Sequence, residues 1–180
     1  MSACVAKYHD QLISIRRHLH TMPEEGWSEF TTTNFIVEKL KEYGYEVLLG
    51  TKVIKPEDCL GRSQKVVDAG MAYARQNGVS EEFLAATEGY TGCCGILDTG
   101  RPGPTLAMRF DIDCVPVTES TEACHIPSAE GFISTDHITH YPIVECEGFS
   151  KTKSSFAPTL RKGESFRGRA VSRLAFSPLQ

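Results

Sequence analysis

Across residues 5–21 the apolar side chains Tyr8, Leu12, Ile15 and Leu19 recur at helical spacing, which predicts a helix with one buried stripe. Met22-Pro23 ends it, because proline disfavours the helical conformation in the residue before it. A second helix is predicted over 28–43, with Ser28 as its cap and Phe35, Ile36, Leu40 and Tyr43 as its apolar face. Gly44 stops that helix, residues 45–49 read as a short strand, and Gly50 punctuates it. A third helix over 61–76 carries Val66, Val67, Met71 and Tyr73 among its apolar positions and closes on Asn77-Gly78. Ser80-Glu81-Glu82 opens a short fourth helix, with a cap residue followed by acids where the helix dipole favours them.

The texture then changes. Residues 91–97 form an apolar run suited to a strand, Asp98-Thr99-Gly100-Arg101-Pro102-Gly103-Pro104 is turn chemistry, and residues 105–109 predict another strand. Two strands around a Gly/Pro loop most simply make an antiparallel hairpin, and the second ends in Asp111-Ile112-Asp113. Helices first and strands later point to an α/β fold in which helices cover the sheet.

Composition changes this picture mainly at the C-terminal end. The formal net charge is −4, yet residues 151–180 hold seven bases and Glu164 as their single acid. That break separates two stretches of different character. With no aromatic interleaving or helical stripe to organise the bases, the stretch reads as a solvated, poorly ordered basic extension rather than a nucleic-acid surface. No apolar run approaches the roughly 20 residues that span a bilayer, and the first residues are too charged for a secretory segment, so a cytoplasmic protein is expected. The seven cysteines, Cys4, Cys59, Cys93, Cys94, Cys114, Cys124 and Cys146, form no CxxC pair and read as reduced, mostly buried thiols.

Asp111 and Asp113 are the foremost candidates for chemistry. Strand alternation sends both carboxylates to one side, with Ile112 opposite. Buried acids there would need a divalent metal or a metal-bound histidine; the alternative is an acidic strand end facing water or Arg109. Spacing alone leaves both open. His18 and His20 lie two apart on a helix and so cannot grip one ion together. His137 and His140, with Asp136 and Cys146 nearby, mimic a ligand cluster, but Pro142 and the lack of periodicity argue against a rigid presenting element. No phosphate-cradling glycine loop, serine nucleophile elbow or HExxH helix occurs, which disfavours nucleotide and nucleophilic chemistry.

Read together, several segments resemble the M20 family of metallopeptidases and amidohydrolases, in particular its aminobenzoyl-glutamate hydrolase branch. They are Arg16-Arg17-His18-Leu19-His20, Pro23-Glu24, Gly26-Trp27-Ser28-Glu29-Phe30, Gly44-Tyr45-Glu46-Val47, Gly89-Tyr90-Thr91-Gly92, the run from Asp98 through Arg109-Phe110-Asp111-Ile112-Asp113, and Glu130-Gly131-Phe132-Ile133-Ser134. The resemblance implies residues 1–134 as the N-terminal part of an M20-type catalytic domain, with helices on an incomplete mixed sheet, and 135–180 as a divergent, irregular tail. It also implies a two-metal hydrolase, using manganese or zinc, that cleaves an amide of a small molecule to release glutamate in the use of folate catabolites. A homodimer or homologous subunit is the implied partner, with no nucleic acid and no membrane. Asp111 and Asp113 fall where the wider family has His-x-Asp, the histidine a ligand and the aspartate its orienting partner.

The sequence departs from the family after Ser134. In place of His-Ala-Cys-Gly-His-Asp-Gly-His stands Thr135-Asp136-His137-Ile138-Thr139-His140-Tyr141-Pro142, and the later Glu-Glu pair and distal histidine are missing too. The segment 163–170 only faintly resembles the family's later Glu-Glu-Gly-x-Arg-Gly-Ala stretch, so Glu164 takes no role. A frameshift, internal deletion or alternative splice near Thr135 would explain both the lost motif and the basic tail. The expectation is a truncated amidohydrolase, inactive alone; the alternatives are a non-catalytic, subunit-like interaction protein and a gene-prediction fragment without independent function.

Overall fold

The computed structural model describes residues 3–115, 122 and 124–134. These fall into two units, Gly26–Asp113 and a second formed by the residues up to Glu25 together with those from Cys114 onward. The expected tail, 135–180, lies outside the described residues.

In the first unit, α3 (Phe30–Glu42) packs on α4 (Gln64–Gln76) and on strand β1 (Glu46–Leu48). The core gathers Phe30, Val67, Ala74, Val79 and Leu84, with Met71 and Phe83 packed against it. Burying each of the larger side chains contributes about 1.5–3 kcal/mol. Helix α4 presents Val67, Gly70 and Ala74 on its buried face, the i, i+3, i+7 spacing of an amphipathic helix. Gly70 is small for a reason: a Cβ there would lie 2.7 Å from both the Cβ and the carbonyl oxygen of Ser28.

Several predicted boundaries hold. Gly44 (φ 82°) and Gly78 (φ 83°) take the left-handed conformation that ends helices α3 and α4. The Ser80 hydroxyl accepts the Phe83 N–H at 3.1 Å and caps α5 (Glu81–Ala86), whose first turn holds Glu81 and Glu82. In the predicted turn after residue 97, the Asp98 carboxylate accepts the Gly100 N–H at 2.8 Å.

Other expectations are corrected. Helix α3 begins at Phe30, with Glu29 rather than Ser28 at its N-cap position, because Ser28 is buried against Gly70. Its fully covered face is Phe30, Thr31, Thr32, Thr33 and Val37, whereas Phe35, Ile36 and Leu40 are half-buried and Tyr43 is exposed. The strand β2 (Cys94–Ile96) pairs antiparallel with β1, matching Glu46 with Ile96, Val47 with Gly95 and Leu48 with Cys94. The expected hairpin with 105–109 is therefore not formed. Those residues have no regular secondary structure and are exposed, and among the described residues β2 is paired with β1 alone. An apolar run marks a strand but does not name its neighbour.

In the second unit the predicted first helix is two pieces, α1 (Ala3–Ala6) and α2 (His9–Thr21). Its stripe is not buried: Tyr8 and Leu12 are exposed, and Ile15 and Leu19 are half-buried. A short helix that the sequence pattern does not announce, α6 (Ile126–Glu130), ends at Gly131 with φ 74°. The Arg17 guanidinium pairs with Glu130 and stacks 4.6 Å over the Phe132 ring, which His20 meets edge-on at 5.6 Å. Among the described residues no helix is long and apolar enough to cross a membrane.

The Ser28–Gly70 approach yields a direct test. Gly70→Ala should lower stability by about 1–3 kcal/mol through overpacking, read as a shift in the urea midpoint. An unchanged midpoint would mean the two segments do not touch.

Candidate functional site

Asp111 and Asp113, the two acids singled out in the sequence, lie at the end of the unit Gly26–Asp113 in a stretch without regular structure. Both are exposed, and Ile112 between them is half-buried. The Arg109 guanidinium donates to Asp111 Oδ1 at 2.5 Å. Asp113 lies alongside the chain at Gly26, where an added Cβ would sit 4.0 Å from Asp113 Oδ2. Of the two readings left open by the spacing, the structure shows the acids facing water and Arg109. Exposure removes the desolvation cost that would have demanded a cation.

The histidines divide between described and undescribed regions. His18 and His20 sit on α2, His18 exposed and His20 half-buried against Phe132. His137, His140, Asp136 and Cys146 lie outside the described residues. Among the described residues no group of three or more His, Cys, Asp and Glu is placed to hold a metal ion.

Five described cysteines form no disulfide and are less covered than expected. Cys59, Cys93, Cys94 and Cys114 are half-buried, and Cys124 is exposed. Burial, with a smaller contribution from neighbouring Cys94, pushes the Cys93 thiol up to about 11. Cys93 then stays protonated at neutral pH and gains thiolate only as pH climbs toward that value. Exposed Cys124 should be alkylated well before Cys93 near pH 8.5, about the ordinary thiol pKa. Peptide mass mapping over time checks the order, and the Cys93 rate should still be rising above that pH.

The sequence reading missed a set of interlocking contacts around Gly89-Tyr90-Thr91-Gly92. The buried Thr91 hydroxyl donates to Glu29 Oε2 at 2.5 Å, and the Gly92 N–H donates to Thr33 Oγ1 at 2.9 Å. Arg62 donates to the Gly89 carbonyl at 2.9 Å while its guanidinium lies 4.7 Å over the Tyr90 ring. Nearby, Glu88 Oε2 accepts the Thr51 N–H at 2.8 Å, and hydrogen bonding from Thr51, its side chain first and its backbone N–H second, holds the Glu88 carboxyl below the usual carboxylate range. Gly50, at φ 60°, leaves room for it: a Cβ there would stand 3.0 Å from the same oxygen. No local signal announced these contacts, because the burial of Glu29 and Thr33 that calls for partners depends on residues about 60 positions away. Thr91→Val should destabilise by about 1–3 kcal/mol, because buried Glu29 loses this donor. Thermal unfolding followed by circular dichroism measures it, and wild-type stability would refute the role of the bond.

In the second unit Glu24 and Glu25 are buried, at 1% and 8% exposure. The Glu24 carbonyl accepts the Cys114 N–H at 2.8 Å, and Glu25 and Cys114 form an isolated parallel bridge. These contacts tie the chain after Pro23 to the chain after Asp113.

No protein-family model matches the chain. A Haemophilus influenzae homolog of one of the p-aminobenzoyl-glutamate hydrolase subunits is 48% identical over 126 residues, covering 69% of this chain and 30% of that protein. Its counterpart in the Escherichia coli p-aminobenzoyl-glutamate hydrolase is 33% identical over 167 residues, covering 92% of this chain and 38% of that protein. Only 134 residues precede Thr135, so part of the Escherichia coli match lies beyond Ser134. Indole-3-acetyl-aspartic acid hydrolase of Enterobacter agglomerans is 40% identical, covering 66% of this chain and 28% of that protein. The crystal structure of an aminobenzoyl-glutamate utilization protein from Klebsiella pneumoniae superimposes with a TM-score of 0.57 at 36% identity, over 61% of this chain and 28% of that one. The chain thus spans well under half the length of these relatives. In sequence and in fold it is similar to one part of the aminobenzoyl-glutamate hydrolases and their amidohydrolase relatives, as the motifs from Arg16 to Ser134 imply.

Proposed function

We propose that residues 1–134 are a partial catalytic domain of a metal-dependent amidohydrolase of the p-aminobenzoyl-glutamate type, and that this chain does not hydrolyse the amide by itself. Residues 135–180 form a divergent basic tail in this reading. The substrate class is a small-molecule amide of glutamate, drawn from folate catabolites, and the setting is the cytoplasm, with neither nucleic acid nor membrane as partner. The similarity to the Haemophilus influenzae and Escherichia coli hydrolase subunits supports the substrate class.

The observation that carries the inactivity is the donor set. A two-ion centre of manganese or zinc needs imidazole, thiolate or several carboxylates converging with oriented neighbours. Here Thr135-Asp136-His137-Ile138-Thr139-His140 replaces the histidine- and cysteine-rich motif of the family resemblance. Asp111 is exposed and already paired with Arg109, Asp113 is exposed, and no three-donor group exists among the described residues. The described donors do not fit a pair of ions. Asp111 and Asp113 remain the positions at which catalysis would be sought, as remnants of a ligand and its orienting partner.

A second reading is a non-catalytic, subunit-like protein that packs on a homologous partner. The word subunit in the names of two relatives supports it.

Purified chain loaded with manganese or zinc should release glutamate from p-aminobenzoyl-glutamate no faster than buffer, and equilibrium dialysis should find fewer than two tightly held ions per chain. Turnover that falls on Asp113→Ala would overturn the inactive reading. Stoichiometric co-elution with a homologous hydrolase chain, with hydrolysis only in the mixture, would favour the second.

A further inference from the structure

Helix α4 stops in a way that decides the chemistry of the residues at its end. The Val79 N–H donates to the Ala74 carbonyl at 3.0 Å, and the Gly78 N–H donates to the Arg75 carbonyl at 3.1 Å. These paired bonds close a helix on a residue in the left-handed conformation, and Gly78 at φ 83° is that residue. Val79, just past the stop, is buried in the same core cluster as Ala74. The stop therefore favours glycine at 78, where a side chain would be strained. Asn77 stands before it, exposed, with φ −92° and ψ 15°.

Asparagine followed by glycine is open to an intramolecular reaction. The Gly78 backbone nitrogen attacks Asn77 Cγ and gives up its proton to solvent base. The bond from Cγ to Nδ2 breaks, ammonia leaves, and a five-membered succinimide remains. Water then opens either ring carbonyl, giving aspartate or isoaspartate at 77. One water is consumed, one ammonia is released, and nothing is oxidised or reduced. Space does not oppose the ring, since even an added Cβ on Gly78 would meet nothing within 4 Å.

The closed stop holds each reacting group back. Asn77 Nδ2 donates to the Tyr73 carbonyl at 2.9 Å, and the attacking nitrogen is engaged with Arg75. Ring closure needs Asn77 Cβ and the Gly78 nitrogen nearly eclipsed about the Cα–C bond, which ψ 15° does not permit. The Arg75 guanidinium meets both oxygens of Glu81, at 2.6 and 3.1 Å, and so bridges the stop to α5. Attack has to wait until the last turn of α4 opens.

We propose that Asn77-Gly78 is a site of succinimide-mediated deamidation, at a rate set by how often the C-terminal turn of α4 opens. The product acts back on the helix. A carboxylate at 77 loses the donor to Tyr73 and places negative charge at the end of the helix where the dipole disfavours it. Isoaspartate also adds a backbone atom between Ala74 and Val79, the two residues that the stop holds together. The modification needs no enzyme and is independent of the amide hydrolysis considered above.

The full chain, aged in mildly alkaline buffer and digested, should show conversion of amide to acid at 77 as two separable products, isoaspartate the more abundant. Asn34, the chain's other asparagine, lies inside α3 before the bulky Phe35 and should stay intact. In urea beyond the unfolding midpoint the rate at 77 should rise by about tenfold or more, because protection follows the local opening equilibrium. Val79→Ala, which trims the apolar contact across the stop, should react faster than wild type in buffer and no faster than the urea-unfolded chain. An unreactive Asn77 in urea would overturn the proposal. So would equal rates in buffer and urea, aspartate formed without isoaspartate, or Asn34 reacting as fast as Asn77 in the folded chain.

Discussion

The pair of bonds from buried Thr91 to Glu29 and from Gly92 to Thr33 is the constraint around which the unit Gly26–Asp113 is arranged. The first turn of α3 buries three consecutive threonines, Thr31, Thr32 and Thr33, and buried polar atoms are tolerable only if they find partners. The segment between α5 and β2 supplies part of that need. In doing so it fixes where β2 starts, and hence which strand lies beside β1. Arg62 and Tyr90 secure the same segment from the α4 side.

This arrangement explains what the family-like motifs do in this chain. In Gly26-Trp27-Ser28-Glu29-Phe30, the Trp27 indole N–H donates to the Leu60 carbonyl at 3.1 Å, Ser28 abuts Gly70, Glu29 takes the Thr91 hydroxyl and Phe30 enters the core. Gly89-Tyr90-Thr91-Gly92 meets these same elements from the other side. Asp111 and Asp113, at the end of this unit, are exposed, with Arg109 paired to Asp111.

Local signals in the sequence were legible where a single residue type decides the conformation. Gly44, Gly78 and Ser80 each ended or began a helix for reasons contained within a few residues. Signals that depend on distant partners were not. Ser28 looks like a cap until Gly70 is brought against it, and nothing near Glu29 or Thr33 announces that Thr91 and Gly92 will donate to them. The strand nature of Cys94–Ile96 was readable from its apolar run, but its pairing with Glu46–Leu48, about 50 residues earlier, was decided by the packing of α3. At the candidate site, the spacing of Asp111 and Asp113 was plain while their exposure was not, because burial belongs to the assembled chain and not to the dipeptide pattern.

Trp27 is the chain's single tryptophan, half-buried, with a left-handed backbone (φ 71°) uncommon for a bulky side chain. Its indole is anchored to the loop at Leu60, so the ring's surroundings depend on that loop and on the turn into α3. Intrinsic fluorescence therefore comes from one known place. A change in tryptophan emission reports loosening of this junction between the turn into α3 and the loop at Leu60.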